Sequence, residues 1–288
     1  MNEDLRRRFF AEEVQAVSNL QTAALVDALA IIRREQFLPP GPWVVRSEGD
    51  LGAQTRWTAD ADTRHVYHNV SIGLDPSREL FNGAPALVTS WIDAVRIKPG
   101  ERILHIGCGM GYYSALMAHC TQPDGSVVAV DIDEALGSEA RRSLAHFVHV
   151  EVHQGNGLII PAERFDVILV NAGVTHPQEC WLDALKPGGR LLVPITCTMP
   201  GMGTLSKGLV LLLTRPEEGG KNDEFKLRVI TNFVTIYTAL EVRDPALNEV
   251  VGKALMRQAF PSIKCLRRDA HAPSSSCWLH VERFCLSG

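Results

Sequence analysis

Residues 103–112 read Ile-Leu-His-Ile-Gly-Cys-Gly-Met-Gly-Tyr, and the prediction of the fold begins with them. The apolar start predicts a buried strand, and the residues that follow Tyr112 predict a helix. The glycines at alternate positions, Gly107, Gly109 and Gly111, permit a tight turn whose backbone can approach a ligand closely. In such a turn the first amides of the helix point toward the ligand. The stretch therefore predicts a strand, a ligand-binding turn and a helix.

The spacing of these glycines bears on the kind of ligand. A dinucleotide fingerprint, G-x-G-x-x-G, would have its third glycine at position 112, but that glycine comes one residue early and Tyr112 stands in its place. This arrangement does not call for a cradled pyrophosphate, so a nucleoside such as S-adenosylmethionine is expected in preference to NAD. A glycine turn with a purely structural role is the alternative.

Two polar residues follow the next two predicted strands. Asp131 ends the second strand, where a carboxylate can accept hydrogen bonds from both ribose hydroxyls. The alternative role is a helix N-cap, for which Asp133 is the better candidate. Asn156 lies between Gly155 and Gly157 after the third strand and can offer its carbonyl oxygen to the adenine amine, or form an ordinary Asn-Gly turn. Loops at the carboxyl ends of successive strands are expected to converge on one crevice.

Strands and helices alternate from residue 85 onward, which predicts a parallel sheet covered on both faces. Two later β-like runs, 209–214 and 225–237, are separated only by the loop 216–223 and predict an antiparallel hairpin. The expected fold is α/β and Rossmann-like, with a mostly parallel seven-stranded sheet that ends in this hairpin and with a helical N-terminal extension. The other predicted strands are 102–106, 126–130, 148–152, 165–171 and 189–194.

The pattern divides the chain into three parts. Residues 1–79 are expected to form a helical and irregular extension on the substrate side, mainly helical over 3–36 and with a short strand at 66–72. Residues 80–245 form the α/β domain. Residues 246–288 form a C-terminal extension with a helix at 248–260 and a β-like segment at 277–286.

Charge and apolar content limit the classes of partner. The formal net charge of −4 provides no general attraction to nucleic acid or anionic lipid. No stretch approaches the roughly 20 apolar residues that a membrane-spanning helix requires. The first residues do not read as a secretory signal. A cytoplasmic protein without a nucleic-acid or membrane partner is expected, and its oligomeric state is not indicated.

The seven cysteines form no CxxC pair, so neither a disulfide framework nor a common zinc module is expected. Cys265, Cys277 and Cys285 lie near His271 and His280 in the sequence, but their spacing matches none of the usual zinc motifs. No metal is therefore expected.

The motifs described above, with Leu-Lys-Pro-Gly-Gly-Arg-Leu-Leu-Val-Pro at 185–194, resemble the successive motifs of class I methyltransferases. Phe-Asp-Val-Ile-Leu-Val-Asn-Ala-Gly at 165–173 is similar in particular to protein-L-isoaspartate O-methyltransferases. The same holds for Tyr-His-Asn-Val-Ser-Ile-Gly at 67–73 and Asn-Gly-Ala-Pro at 82–85. The resemblance covers roughly residues 15–240.

This resemblance implies S-adenosylmethionine as cofactor and Asn82 as the polar group near the methyl donor. Three positions depart from the family pattern: Gly83 replaces the usual Ser, Ala86 the usual His, and Asn156 the usual Asp. The substrate half of the site is therefore expected to differ more than the cofactor half. The implied cofactor-binding residues are Gly83, Gly107, Gly109, Gly111, Asp131, Ile132, Asn156, Gly157 and Asn171.

The leading hypothesis is O-methylation of a carboxylate in a peptide or protein, which requires no general base because the acceptor is already ionised. His176 is the candidate base if the acceptor differs, and otherwise an ordinary loop histidine. His105 and Cys108 are expected to be packing residues. The alternatives are a relative with a changed acceptor, such as a natural-product or ribosomal-peptide intermediate or another small molecule, and a non-catalytic S-adenosylmethionine-binding module. An NAD-dependent oxidoreductase is disfavoured by Tyr112.

Overall fold

The computed structural model describes residues 2–47, 54–218 and 224–288. The chain forms two compact units, Met1–Gly155 and Asn156–Gly288. The division into parts 1–79, 80–245 and 246–288 stays a prediction. Residues 219–223 of the predicted hairpin loop lie outside the described residues.

The first unit contains five α-helices and seven strands among its described residues. Four short strands form an antiparallel sheet in the order β2-β1-β3-β4, and three strands form a parallel set with β6 between β5 and β7. The helices are α1 (Glu3–Ser18), α2 (Ala23–Ile31), α3 (Pro85–Ala94), α4 (Tyr112–Cys120) and α5 (Glu134–Ser143); the strands are β1 (Val44–Ser47), β2 (Gln54–Trp57), β3 (Ser71–Asp75), β4 (Leu80–Phe81), β5 (Arg102–Ile106), β6 (Ser126–Asp131) and β7 (Val150–Gln154).

Strands β5 and β6 form the apolar centre of this unit. Leu104 of β5 pairs with Val128 of β6, and both side chains are almost completely buried. Burial on both faces explains why β5 and β6 are largely apolar without alternation, whereas the partly exposed β7 alternates apolar and polar residues. Helix α4 begins directly after Gly111, as the glycine pattern predicts.

The predicted strand at 66–72 is wrong for most of its length, because β3 begins only at Ser71. The backbone carbonyls of Val66, His68 and Val70 instead accept hydrogen bonds from the guanidinium of Arg34, at 2.6, 3.1 and 2.9 Å. The segment is therefore held by a side chain and not by a neighbouring strand.

The second unit contains one sheet in the order β13-β14-β12-β11-β10-β9-β8. Strands β8 and β9 are parallel, and the remaining pairs are antiparallel, including the predicted hairpin of β10 and β11. The strands are β8 (Phe165–Val170), β9 (Leu185–Cys197), β10 (Leu205–Thr214), β11 (Glu224–Tyr237), β12 (Cys265–Arg267), β13 (Cys277–His280) and β14 (Cys285–Ser287); the α-helices are α6 (Glu179–Asp183) and α7 (Pro245–Met256).

The C-terminal elements differ from the prediction in their bounds. Helix α7 begins at Pro245 because the Asp244 carboxylate accepts the amide of Ala246, 2.9 Å away, and a proline suits the first helical turn. The β-like segment at 277–286 is two strands joined by a turn in which Val281 N–H donates to Phe284 O, 3.1 Å away. Both strands extend the sheet beyond β11.

Candidate cofactor-binding site

The glycine turn lies between β5 and α4 and is attached to the end of β6. The amide of Gly107 donates to the carbonyl oxygen of Val130 at 2.8 Å. Gly107, Gly109 and Gly111 have φ values of 77°, 56° and 95°, the left-handed region in which other L-residues are strained. A Cβ at Gly109 would lie 3.3 Å from Leu74 Cδ1, so the turn leaves little room for a side chain.

Asp131 is the last residue of β6 and binds the turn directly. Its Oδ2 accepts the amide of Gly109 at 2.7 Å, and its Oδ1 accepts the amide of Asp133 at 3.0 Å. The side chain is only 7% exposed, and burial raises the pKa of its carboxyl group while the two amide hydrogen bonds oppose that shift. A carboxylate offers about four lone-pair positions, so Asp131 keeps acceptor capacity for ligand hydroxyls.

Asp133, and not Asp131, caps the following helix, as predicted. Its side chain accepts the amide of Leu136 at 3.0 Å, and its other oxygen lies 2.6 Å from Nη1 of Arg78. Partial burial opposes ionisation of the Asp133 carboxyl, but the Leu136 amide and Arg78 together lower its pKa. Asp131 is therefore not needed as the helix cap, and its role toward ribose stays a prediction.

The predicted adenine loop begins where the first unit ends. Within that unit, Gly155 N–H donates to Asp131 O at 2.8 Å. The residue that follows β7 is therefore hydrogen-bonded to the last residue of β6. Asn156 follows in the chain and opens the second unit. There its Oδ1 accepts the amide of Leu158 at 2.9 Å, and the carbonyl oxygen of Gly157 accepts the indole N–H of Trp181 at 2.8 Å. The loop is held by these contacts; its role toward adenine stays a prediction.

Asn82 and Gly83 lie between β4 and α3 in the first unit. Asn82 Oδ1 accepts the amide of Ile72 at 2.8 Å and an N–H of Arg34 at 3.4 Å, whereas its Nδ2 is buried with no hydrogen-bond partner among the described residues. Gly83 has φ 77°, and its carbonyl accepts the hydroxyl of Tyr113 at 3.0 Å. The catalytic role of Asn82 and the cofactor role of Gly83 stay predictions.

Two further predicted cofactor residues follow strands. Ile132 comes directly after β6 in the first unit and is 47% exposed, which leaves its side chain available to an apolar ligand group. Asn171 comes directly after β8 in the second unit and is partly exposed. No contact given by the structure tests either role.

The candidate base His176 and the predicted packing residue His105 are both buried. His105 is fully buried in β5 with Nδ1 2.7 Å from Ser114 Oγ, and burial lowers its pKa to about 3. His176 is 7% exposed, lies 3.0 Å from Thr175 Oγ1 and stacks on Phe284; burial lowers its pKa as well. Cys108 is buried, and burial raises the pKa of its thiol, which suits the predicted packing role.

Arg34 is the residue that sequence reasoning missed. It is completely buried, and besides the three carbonyls of residues 66–70 it contacts Asn82 Oδ1. Burial lowers the pKa of its guanidinium. An arginine at the end of an apolar helical stripe is the only signal the sequence offers, since the carbonyls it binds have no sequence signature.

Comparisons with known proteins find similar methyltransferases. The family model described as protein-L-isoaspartate(D-aspartate) O-methyltransferase matches residues 57–204. A protein-L-isoaspartate O-methyltransferase from Methanopyrus kandleri is 35% identical over 194 residues, which are 66% of this chain and 76% of the relative. A solved structure of an enzyme with that name matches with a TM-score of 0.62 at 21% identity, covering 86% of this chain and 69% of the other.

A second structure, from Plasmodium falciparum and solved with S-adenosyl-L-homocysteine, matches with a TM-score of 0.56 at 13% identity and covers 80% of this chain and 97% of the other. The fold and the family match define a class I S-adenosylmethionine-dependent methyltransferase, which confirms the predicted fold class, enzyme class and cofactor. The chain belongs to the protein-L-isoaspartate O-methyltransferase family. Among the residues that the structure describes, none of the helices is both long and apolar enough to cross a membrane.

Proposed function

We propose that this protein transfers the methyl group of S-adenosylmethionine to the free carboxylate of an isoaspartyl residue in a peptide or protein. Membership in the family supports the reaction. The single observation that carries it at the site is the buried Asp131 carboxylate, bound to the amide of Gly109 in the glycine turn.

The residues at the turn fit this cofactor. Asp131 uses one lone pair of each oxygen on backbone amides and retains the others for the two ribose hydroxyls. The glycine turn brings backbone close to the ligand without a side chain in the way. When bound, S-adenosylmethionine supplies an electrophilic methyl group on a positively charged sulfur.

Positioning is the main contribution of this chain to such a displacement, since the nucleophile must approach in line with the leaving group. A carboxylate acceptor is ionised at neutral pH and requires no base. The burial and hydrogen bonds of His105 and His176 agree with that requirement. Asn82 is the proposed polar group on the acceptor side, because its buried, unpartnered Nδ2 is a donor that suits a carboxylate oxygen.

A changed acceptor is the second candidate, and Gly83 favours it. The family's usual serine would have to adopt φ 77° here, and a Cβ would lie 2.8 Å from Val88 Cγ2. The backbone at Gly83 therefore has a conformation in which a serine would be strained. A natural-product or ribosomal-peptide carboxylate, or another small molecule, is the corresponding acceptor. For either acceptor we propose a cytoplasmic enzyme that acts without nucleic acid.

The test is transfer of labelled methyl from S-adenosylmethionine to an isoaspartyl peptide, with the same peptide containing normal aspartate as control. Base-labile incorporation into the isoaspartyl peptide alone is the expected result. Incorporation into neither peptide, together with intact S-adenosylmethionine binding by calorimetry, would favour the changed acceptor. Absence of cofactor binding would refute both candidates.

A further inference from the structure

Four side chains that the methyl-transfer proposal does not use converge in the sheet of the second unit. His271 lies between β12 and β13, Cys277 and His280 lie in β13, and Cys285 lies in β14. One nitrogen or sulfur atom from each lies within 4.8 Å of those of the other three. His280 and Cys285 are direct cross-strand partners, so the sheet register itself brings these two together.

An irregularity in β13 places its two donors on one side. In a regular strand, residues three apart such as Cys277 and His280 point to opposite faces. The pairing of β13 with β14 shifts between Cys277 and Leu279, so that Trp278 is an extra residue. An extra residue of this kind interrupts the alternation of faces and directs both side chains toward Cys285.

The surroundings of His271 and His280 leave a nitrogen of each available. His271 Nδ1 lies 2.9 Å from the carbonyl oxygen of Asp269, which can only accept, so this nitrogen holds the proton and Nε2 keeps its lone pair. That Nε2 faces Cys277 Sγ at 3.9 Å. Nδ1 of His280 is buried with no hydrogen-bond partner among the described residues. A metal-bound histidine commonly donates its other ring N–H to a backbone carbonyl, as His271 does here.

Cys277 has the contacts of a thiolate ligand. The backbone amide of Ser274 donates to its sulfur at 3.3 Å, and the Ser274 hydroxyl lies 3.4 Å from the same atom. Donors to sulfur stabilise the negative charge that a metal-binding cysteine must carry.

We propose that His271, Cys277, His280 and Cys285 form a structural zinc site. Two thiolates and two neutral imidazoles balance the charge of Zn²⁺, and this is the donor set that tetrahedral zinc prefers. Zinc bond lengths of about 2.0–2.3 Å imply donors roughly 3.3–3.8 Å apart. Donor atoms that now lie within 4.8 Å of one another therefore need to close by about 1.5 Å at most. Four protein ligands leave no open position for catalysis, which makes the role structural.

The ion would stabilise the three short strands that end the sheet of the second unit. Strands β12, β13 and β14 contain only three or four residues each, so each contributes few backbone hydrogen bonds. The connection 268–276 contains the run Ala-Pro-Ser-Ser-Ser, which does not form a regular element. Bound zinc would fix this connection and both strands at one point.

From spacing alone no metal is expected, and no comparison bears on that expectation. The pattern is His-x5-Cys-x2-His-x4-Cys, which differs from the common zinc modules. The site depends instead on the extra residue in β13 and on the register of two short strands.

The experiment measures zinc in the full-length protein purified under reducing conditions without chelator. About one zinc per chain is expected in the wild type, with loss of the bound zinc in Cys277→Ser and in His280→Gln. Cys265→Ser is the matched control, because this cysteine lies in neighbouring β12 with its sulfur against Ser287 Oγ at 3.2 Å and outside the cluster. The control should retain zinc.

Cobalt provides a readout on the unmutated protein, should the variants fail to fold. Titration of metal-free wild type with Co²⁺ should produce the intense visible bands of tetrahedral cobalt and a thiolate-to-cobalt charge-transfer band. A reduced wild type that binds neither zinc nor cobalt would overturn the proposal. So would equal zinc loss in Cys265→Ser, or a Cys277–Cys285 disulfide in protein that takes up no zinc after reduction.

Discussion

Asp131 combines two tasks at the residue scale, because the same carboxylate orders the glycine turn and is proposed to bind ribose. An alanine would remove both, whereas Asp131→Asn keeps the shape and one acceptor oxygen. We expect Asp131→Asn to weaken S-adenosylmethionine binding by about 1.5–3 kcal/mol, the contribution of hydrogen bonds to a charged group. Calorimetry measures it, and the exposed Asp124→Asn is the control. Unchanged affinity would remove Asp131 from the site.

We predict that binding of the ligand requires a glycine at position 109. Gly100 is the matched control that separates this requirement from the effect of backbone strain. Gly109 and Gly100 both have positive φ, 56° and 80°, but an added Cβ meets Leu74 only at Gly109 and nothing within 4 Å at Gly100. Alanine at either position should cost about 1–2 kcal/mol of unfolding free energy. Only Gly109→Ala should also weaken S-adenosylmethionine binding, by more than about tenfold. Equal affinity in the two variants would contradict contact at the turn.

At the scale of elements, one hydrogen bond joins strand β5 to helix α4 through buried His105 and Ser114. The folded-state pKa of His105 is about 3, below the ordinary value of 6.5. As pH drops from 6.5 toward 3, the histidine is protonated in the unfolded chain but not in the folded protein, so the free energy of unfolding falls. At pH 5 the loss is about 2 kcal/mol. His105→Asn, which can keep the contact to Ser114, should remove that loss.

Urea unfolding at pH 7.5 and 5.0 measures this difference, with the exposed His146→Asn as control. The wild type and His146→Asn should lose about 2 kcal/mol more on acidification than His105→Asn. The same pH dependence in all three proteins would show that His105 is not held neutral.

The segment 66–70 depends on a side chain from another element. Replacing Arg34 by Met leaves three backbone carbonyls without their donor, at about 1–3 kcal/mol each, while relief from burying a charge offsets part of the cost. We expect a net loss of about 2–4 kcal/mol in urea unfolding. Arg33→Met, at the exposed neighbouring position, should change stability little. Equal destabilisation by the two substitutions would indicate that the loss of a positive charge matters, and not the loss of the hydrogen bonds from Arg34 to the backbone carbonyls.

The contrast between β5–α4 and segment 66–70 shows what a sequence can predict. Gly107, Gly109 and Gly111 determine a local turn, so their spacing is enough to predict both flanking elements. Arg34 binds carbonyls more than 30 residues away, and every residue type has a carbonyl, so no pattern indicates the contact. The histidines and cysteines of the zinc proposal likewise come together only through strand register, which spacing does not specify.

At the scale of the whole molecule, the question is whether the fold needs residues 246–288, whose role the sequence leaves open. Contacts within the second unit indicate that it does: Asn248 Oδ1 accepts the Thr198 amide and a guanidinium N–H of Arg243, and β12 pairs with β11. Leu266 and Leu286 are completely buried. Removal of this segment would expose that apolar surface and one edge of β11.

We therefore expect a chain ending at residue 245 to lose cooperative unfolding and to aggregate, as judged by circular dichroism and size-exclusion chromatography. A point substitution tests the same dependence without removing the segment. Leu286→Ala should lower the free energy of unfolding by about 2–5 kcal/mol, whereas Met256→Ala, at a position that is 84% exposed, should lower it little. A soluble, cooperatively folded chain of residues 1–245 that still binds S-adenosylmethionine would establish the extension as dispensable. The sheet argues for the opposite result, because each strand after β11 covers an edge that would otherwise be open.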